Sequence, residues 1–446
     1  MCLTAAQARP AARVYDNASA GFDSTPWPPG TVILPFENLE GIILLRGTLQ
    51  GRLEADTTGP LALDTGAGYL ALDLGLARTL GLADSTVESD AVDLADLPLP
   101  RLSLGGWRID HLDPVLTVDG EVLRRVSDRP VLGLLGQRPL EGRAVWIDYR
   151  AQRVAMIPSA ADSGAGDSTL TAGIAGARRE LALSARARSR SRALLSAALS
   201  RRAFPVHFRL VGDGKILVRG AVSDPVPPNY SRRLNLLVDT GATKCVLFED
   251  AIGTAVRYAG RWPTLRGLTA PTLIGTTAAK IALVPAFEVE AERGRLREAD
   301  VDVALIRSDL ARVLSRVTHE TIHGLIGYSF LKRFRVAVDY PNRVMWLDPI
   351  PDYRDDRPLE YCQVGLQLER RRGAAIVVGV VEGSPAARAG ITIGDEVGAL
   401  DGESAREMDL IVLIRRMEGQ PGLGLTMTIR RDAVERTVRL VRRRLL

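Results

Sequence analysis

Asp64-Thr65-Gly66-Ala67 returns further along the chain as Asp239-Thr240-Gly241-Ala242, and this pair of tetrapeptides decides how the sequence reads. Each follows apolar strand-like text, so each Asp sits where a buried strand runs into a glycine turn. One Asp-Thr-Gly is commonly only that. The text downstream repeats as well: Gly133-Leu134-Leu135-Gly136 leads to Leu140 and Asp148-Tyr149, and Gly324-Leu325-Ile326-Gly327 leads to Leu331 and Asp339-Tyr340 at the same intervals. The chain therefore contains a duplicated unit that runs from Asp-Thr-Gly through an apolar-apolar-Gly segment to Asp-Tyr.

Working outward, 446 residues are too many for one core and predict roughly two to four folded units. Hydrophobic residues at 46% and charged residues at 25% are the profile of a soluble globular chain. The formal charge of +5 comes almost wholly from Arg, since Lys occurs only at 215, 244, 280 and 332, and it predicts no nucleic-acid surface. Cys2, Cys245 and Cys362 lack the paired spacing of a zinc site or a disulfide framework, so neither metal nor disulfide is expected. No apolar run reaches membrane-spanning length. Ala6-Gln7-Ala8 fits the small-residue pattern of a cleavage site, so residues 1–29 read as an N-terminal extension, open to being the remnant of a signal peptide. The compartment stays open, with an extracytoplasmic reading favoured over a cytoplasmic one.

Composition divides the rest. Residues 30–158 and 204–349 alternate strand-like runs with glycine turns. Between them, residues 159–203 begin as a Ser, Ala, Gly and Asp linker and continue into a helix-favouring stretch from Glu180 to Arg202, with Leu181, Leu195 and Leu199 near one face. A turn-rich linker at 350–358 leads into a last unit at 359–446.

The paired motifs resemble those of the retropepsin-like aspartic peptidases, in the bilobal arrangement where one chain carries both halves. The resemblance implies a mainly β protein of two β-barrel lobes flanking a cleft, with Asp64 and Asp239 as the catalytic pair. It implies that Thr65 and Thr240 interlock and that Gly66, Ala67, Gly241 and Ala242 complete the loops. Leu134-Leu135-Gly136 and Leu325-Ile326-Gly327 would form the psi-shaped strands that those loops cross. Hydrolysis without a covalent intermediate needs one group to take a proton from water and another to give one to the carbonyl oxygen. Two carboxylates sharing a proton do both, and no cofactor is required. The family covers its cleft with a hairpin flap. Gly267 to Gly275 has the Gly and Thr content for it in the second copy, whereas Ser85 to Pro98 in the first is acidic and lacks Gly. Ala67 and Ala242 stand where bilobal pepsins usually carry Ser or Thr. Lys244, just beyond the second motif, reads as an exposed lysine and Cys245 as a small buried apolar residue.

After Val364 come Gly365-Leu366-Gln367-Leu368, the apolar stretch Ala374 to Val381, Gly383-Ser384-Pro385 through Gly390, Gly394-Asp395 and Asp401-Gly402. This ordered set resembles the PDZ domains attached to bacterial processing proteases, a small α+β fold. Ser384 and Pro385 suit a helix start and Gly390 its end, and a second helix is expected from Ala405 to Met417. The resemblance implies that the amides of Gly365 to Leu368 cradle a peptide C-terminal carboxylate and that a strand edge receives the peptide.

The expected function is thus an aspartic endopeptidase acting on polypeptides, with C-termini bound at the PDZ domain and the lobes paired inside one monomer. Two alternatives stand beside it: a non-catalytic peptide-binding protein on the same scaffold, and an obligate dimer pairing lobes between chains. The four histidines make no His-Glu-x-x-His motif, and no Gly-x-Ser-x-Gly elbow or phosphate loop occurs.

Overall fold

The computed structural model describes residues 25, 27–50, 56–81, 101–109, 115–121, 124–125, 128–158, 192, 195, 198–223, 231–253, 255–256, 259–272, 275–432 and 434–446. Most of the N-terminal extension, the acidic stretch Ser85 to Pro98, the linker beyond Pro158 and Leu181 with much of its helix lie outside the described residues. The protein is mainly β, with barrel-like sheets and a PDZ domain.

The duplicated text folds twice into the same local topology. In the first copy the strand Asp56–Leu63 runs parallel to Gly133–Leu135, which is antiparallel to Leu70–Asp73, itself parallel to Val115–Val118. The second copy repeats each relation with Leu234–Val238, Gly324–Ile326, Cys245–Phe248 and Gly294–Ile306. In both, the short central strand threads between two others, and its glycines make that possible. A Cβ at Gly133 would lie 2.0 Å from the Ala71 carbonyl oxygen and one at Gly324 would lie 2.1 Å from that of Val246. No residue with a side chain fits either place.

The Asp-Tyr ends of the units join the lobes. Strand Arg143–Asp148 pairs antiparallel with Phe334–Asp339, so one sheet continues from the first lobe into the second. Its register is symmetric: Trp146 faces Ala337, its own counterpart in the repeat, while Arg335 faces Asp148 and Asp339 faces Ala144. The duplication is thereby turned into an approximate two-fold axis through the molecule. Leu195 and Leu199, one helical turn apart, are buried against Trp146, Ala155 and Ala337 on this sheet, as the shared face in the sequence predicts.

The C-terminal unit has its own apolar core, from Val364, Leu366 and Leu368 to Leu413, Met427 and Leu440. Ser384 caps the helix Pro385–Arg388 by accepting from Ala387 N, and Gly390 follows at φ +71. The second helix is shorter than expected, Leu410–Met417. The Asp409 carboxylate caps it through Ile411 N and Val412 N, while the Arg370 guanidinium takes the carbonyls of Ala405 and Met408 ahead of it.

Candidate active site

Each Asp-Thr-Gly loop is braced by the short central strand of its lobe. Leu135 O accepts from Asp64 N at 3.0 Å and Ile326 O from Asp239 N at 3.0 Å. Beyond the strands, Gly136 and Gly327 pass so close to the loops that a Cβ would come within 2.2 Å of Tyr69 O and of Lys244 O. Leu134, Leu135, Gly136, Leu325, Ile326 and Gly327 therefore lie directly behind the two loops.

The loops meet across the lobe interface and lock reciprocally. Thr65 N donates to Thr240 Oγ1 at 3.0 Å and Thr240 N to Thr65 Oγ1 at 3.0 Å. Each hydroxyl then donates onward into the opposite lobe, Thr65 to Val238 O at 3.0 Å and Thr240 to Leu63 O at 2.8 Å. Both donors and acceptors of the pair are satisfied in a buried setting, where leaving one unmade costs about 1–3 kcal/mol. This grip draws each carboxylate over the glycine of the other loop. A Cβ at Gly66 would sit 2.6 Å from Asp239 Cγ, and one at Gly241 would sit 2.7 Å from Asp64 Cγ.

The carboxylates are held alike. Gly66 N and Ala67 N donate to Asp64 Oδ1 at 2.8 and 3.2 Å, and Gly241 N and Ala242 N donate to Asp239 Oδ1 at 2.8 and 3.1 Å. Burial raises the pKa of Asp64, against the hydrogen bond it shares with Asp239, the loop amides and the charge of Lys215. Asp239 is raised further, first by burial and then by the neighbouring Asp64. Two carboxyls this close titrate as a pair, with one proton shared well above the ordinary carboxylate range.

Each lobe also sends the turn of its first hairpin across the interface. In the first lobe Gly41 lies against the Tyr328 ring, and Asn38 Nδ2 donates to Tyr328 Oη at 3.0 Å. In the second, Asp213 and Gly214 press against Gly68 and Glu141. Lys215, counted in the sequence only as a charge, is buried here with Nζ 2.5 Å from Asp213 Oδ1. Gln137 also escaped sequence reading: it is fully buried, and its Nε2 donates to Thr65 O at 2.5 Å. Its place directly after the apolar-apolar-Gly motif was the available signal. Tyr149, of the repeated Asp-Tyr, is buried near Asp239 with its ring 5.1 Å from that of Tyr328.

Lys244 corrects an expectation. It is not an exposed lysine beside the motif but is held at 2.6 Å from Asp302 and 2.7 Å from Glu360, over the Tyr361 ring. Burial opposes its charge, but Tyr361, Asp302 and Glu360 outweigh burial and hold its pKa well above the usual lysine range. Burial likewise opposes ionisation of Asp302, yet Lys244 brings its pKa down to about 2. Lys244 thus anchors the segment leading into the PDZ domain to the loop of the second motif. Cys245 is buried as expected, and burial pushes its thiol up to about 11. His319 is the left-handed cap of the helix Leu310–Thr318, so it shares no helix face with His323, whose Nδ1 accepts from Asn235 N.

In the PDZ domain, Gly365 takes φ +91, and a Cβ there would meet Ser384 Oγ at 2.5 Å. Leu366–Arg371 is the end strand of its sheet, paired with Ala374–Val380 on one side and packed against the helix Leu410–Met417. Leu366 and Leu368 point into the core. Gln367 points instead to the hairpin of the second lobe, where its amide meets Thr269.

A family model of the PDZ domain matches residues 376–431. The chain is similar to a carboxy-terminal-processing protease of Bartonella bacilliformis, 27% identical over 101 residues, which is 23% of this chain and 23% of that protein. The match thus spans about a quarter of the length of that curated relative. Among solved structures it is similar to the PDZ domain of a carboxy-terminal protease from Vibrio cholerae in complex with peptide, at 22% identity and TM-score 0.17, covering 18% of this chain and 93% of that one. It is also similar to an aspartic proteinase from Irpex lacteus, at 11% identity and TM-score 0.35, covering 72% of this chain and 98% of that one.

Proposed function

We propose that this chain is an aspartic endopeptidase in which Asp64 and Asp239 activate a water for attack on a peptide carbonyl. The observation that carries the reading is the reciprocal grip of Thr65 and Thr240, which sets two carboxylates face to face, each over the other loop's glycine. A shared proton leaves one carboxylate to take a proton from water and the other acid to give one to the carbonyl oxygen, after which the roles exchange. Substrate lies extended between the lobes under the hairpin Thr264–Thr272 and Gly275–Ala291. Gly365 to Leu368 receive a polypeptide C-terminus at the PDZ domain, and the lobes pair within one monomer.

A digest of a degenerate peptide library by the purified protein tests the reading, with Asp64→Asn and Asp239→Asn as controls. Cleavage that both substitutions abolish in folded protein is the expected result. Near-normal turnover by either variant removes the dyad from the mechanism. Peptide binding without cleavage by the unaltered chain selects the non-catalytic binding protein instead.

A further inference from the structure

The PDZ domain does not hang from the lobes on a free linker: its peptide-cradling segment is bonded to the hairpin of the second lobe. The Gln367 amide is used at both ends on one residue of that hairpin. Its Oε1 accepts from Thr269 N at 2.9 Å and from Thr269 Oγ1 at 3.2 Å, and its Nε2 donates to Thr269 O at 2.8 Å. Nearby, Arg266 O accepts from Glu382 N at 3.0 Å. The strands touch so closely that a Cβ on Gly267 would lie 2.1 Å from Val380 O. Thr264–Thr272 thus lies against the PDZ strand Ala374–Val380 with no side chain between them at Gly267.

Gln367 stands between Leu366 and Leu368 in the segment whose amides are proposed to bind a carboxylate. The same backbone therefore has two partners, a peptide C-terminus through its amides and the hairpin through the Gln367 side chain. Ordering the segment with a bound carboxylate fixes the Gln367 backbone, which reduces what the Gln367–Thr269 bonds must still order. Linkage then makes the effect reciprocal. We infer that Gln367 is a positioning residue that couples occupancy of the PDZ domain by a free, apolar peptide C-terminus to the placement of the lobe hairpin over the cleft. The inference rests on the peptidase and C-terminus readings above, and it assigns the PDZ domain the role of ordering the cleft rather than only holding substrate nearby.

The test uses the full chain carrying Asp239→Asn, so that no turnover is needed. Hydrogen exchange is followed over Thr264–Thr272 and Gly275–Ala291 with a hexapeptide ending in a free apolar carboxylate and with its C-terminal amide, while labelled-peptide anisotropy reports binding. The acid peptide is expected to slow exchange across the hairpin several-fold, Thr269 N included, and the amide to leave it unchanged. Gln367→Leu keeps the volume and removes all three bonds to Thr269. With acid peptide bound at saturation, it is expected to lose the protection. Gly267→Ala breaks the same contact from the lobe side, leaving the PDZ domain untouched, and should do likewise if the first variant fails to fold. In the catalytically unaltered chain, the acid peptide should raise kcat/KM for an amidated substrate mainly through KM, and not in Gln367→Leu. Equal hairpin exchange with and without bound acid peptide overturns the inference, as does protection that survives Gln367→Leu, or failure of the acid peptide to bind. Hairpin protection without any hydrolysis leaves the coupling standing and removes the peptidase reading alone.

Discussion

Burial raises the pKa of both Asp64 and Asp239, and the neighbouring Asp64 raises that of Asp239 as well. A carboxyl with a raised pKa binds its proton more tightly in the folded chain, so its contribution to stability is present at low pH and falls as pH rises through the folded value. The dyad therefore works against the fold at neutral pH. Asp239→Asn is expected to melt at or above the temperature of the unaltered chain at pH 7, with the difference closing towards pH 4; a clearly lower melting temperature at pH 7 contradicts the like-charge strain. Ala67 and Ala242 offer the carboxylates only their backbone amides. A serine hydroxyl there adds a donor that favours the ionised form and lowers the pKa. The double variant Ala67→Ser, Ala242→Ser should move the acid limb of kcat/KM to lower pH, and an unchanged limb in active protein excludes these positions as its determinants.

At the scale of the element, the short central strands Gly133–Leu135 and Gly324–Ile326 brace the loops through the carbonyls of Leu135 and Ile326. Gly327 approaches backbone on both sides, with Lys244 O at 2.2 Å and Ala242 O at 2.7 Å from any added Cβ. Backbone cannot swing aside as the end of a side chain does. Gly327→Ala is expected to cost about 3 kcal/mol or more, at the upper end of overpacking effects, read by denaturant unfolding. A loss below 1 kcal/mol would mean that the loop yields easily. The hairpins that cross between lobes add a difference inside the repeat. The second lobe brings a buried Lys215 towards Asp64, while the first brings Gly41 and Asn38 to Tyr328. The two aspartates, identical in local sequence, are thereby placed in unequal fields.

For the whole molecule, the sheet shared by Arg143–Asp148 and Phe334–Asp339 makes the lobes one body within a single chain. Activity per mole is expected to be constant on dilution through the range where a dimer would dissociate, with light scattering reporting the mass. Activity that falls with dilution would instead support pairing between chains. The PDZ domain is tied in at separate points: Lys244 to Glu360, Arg357 to Glu40 and Glu418, Arg415 to Glu40, Arg370 to Asp128, and Gln367 to Thr269. Ile411 of its second helix packs on the first lobe beside Leu39, Ile42 and Leu44.

By itself the sequence determined the duplication, the mainly β class and the PDZ signature. These rest on local requirements, a strand ending in a glycine turn or a glycine where no Cβ fits, and local requirements leave marks at fixed spacing. Leu195 and Leu199 were legible for the same reason, as one apolar helix face. Tertiary structure alone decided that Lys244 is held between Asp302 and Glu360, that Lys215 and Gln137 reach the loops, and that Gln367 grips the hairpin. Each depends on a partner far away in the chain. A lysine or glutamine carries no local pattern that says whether it meets water, a carboxylate or a backbone amide from another domain.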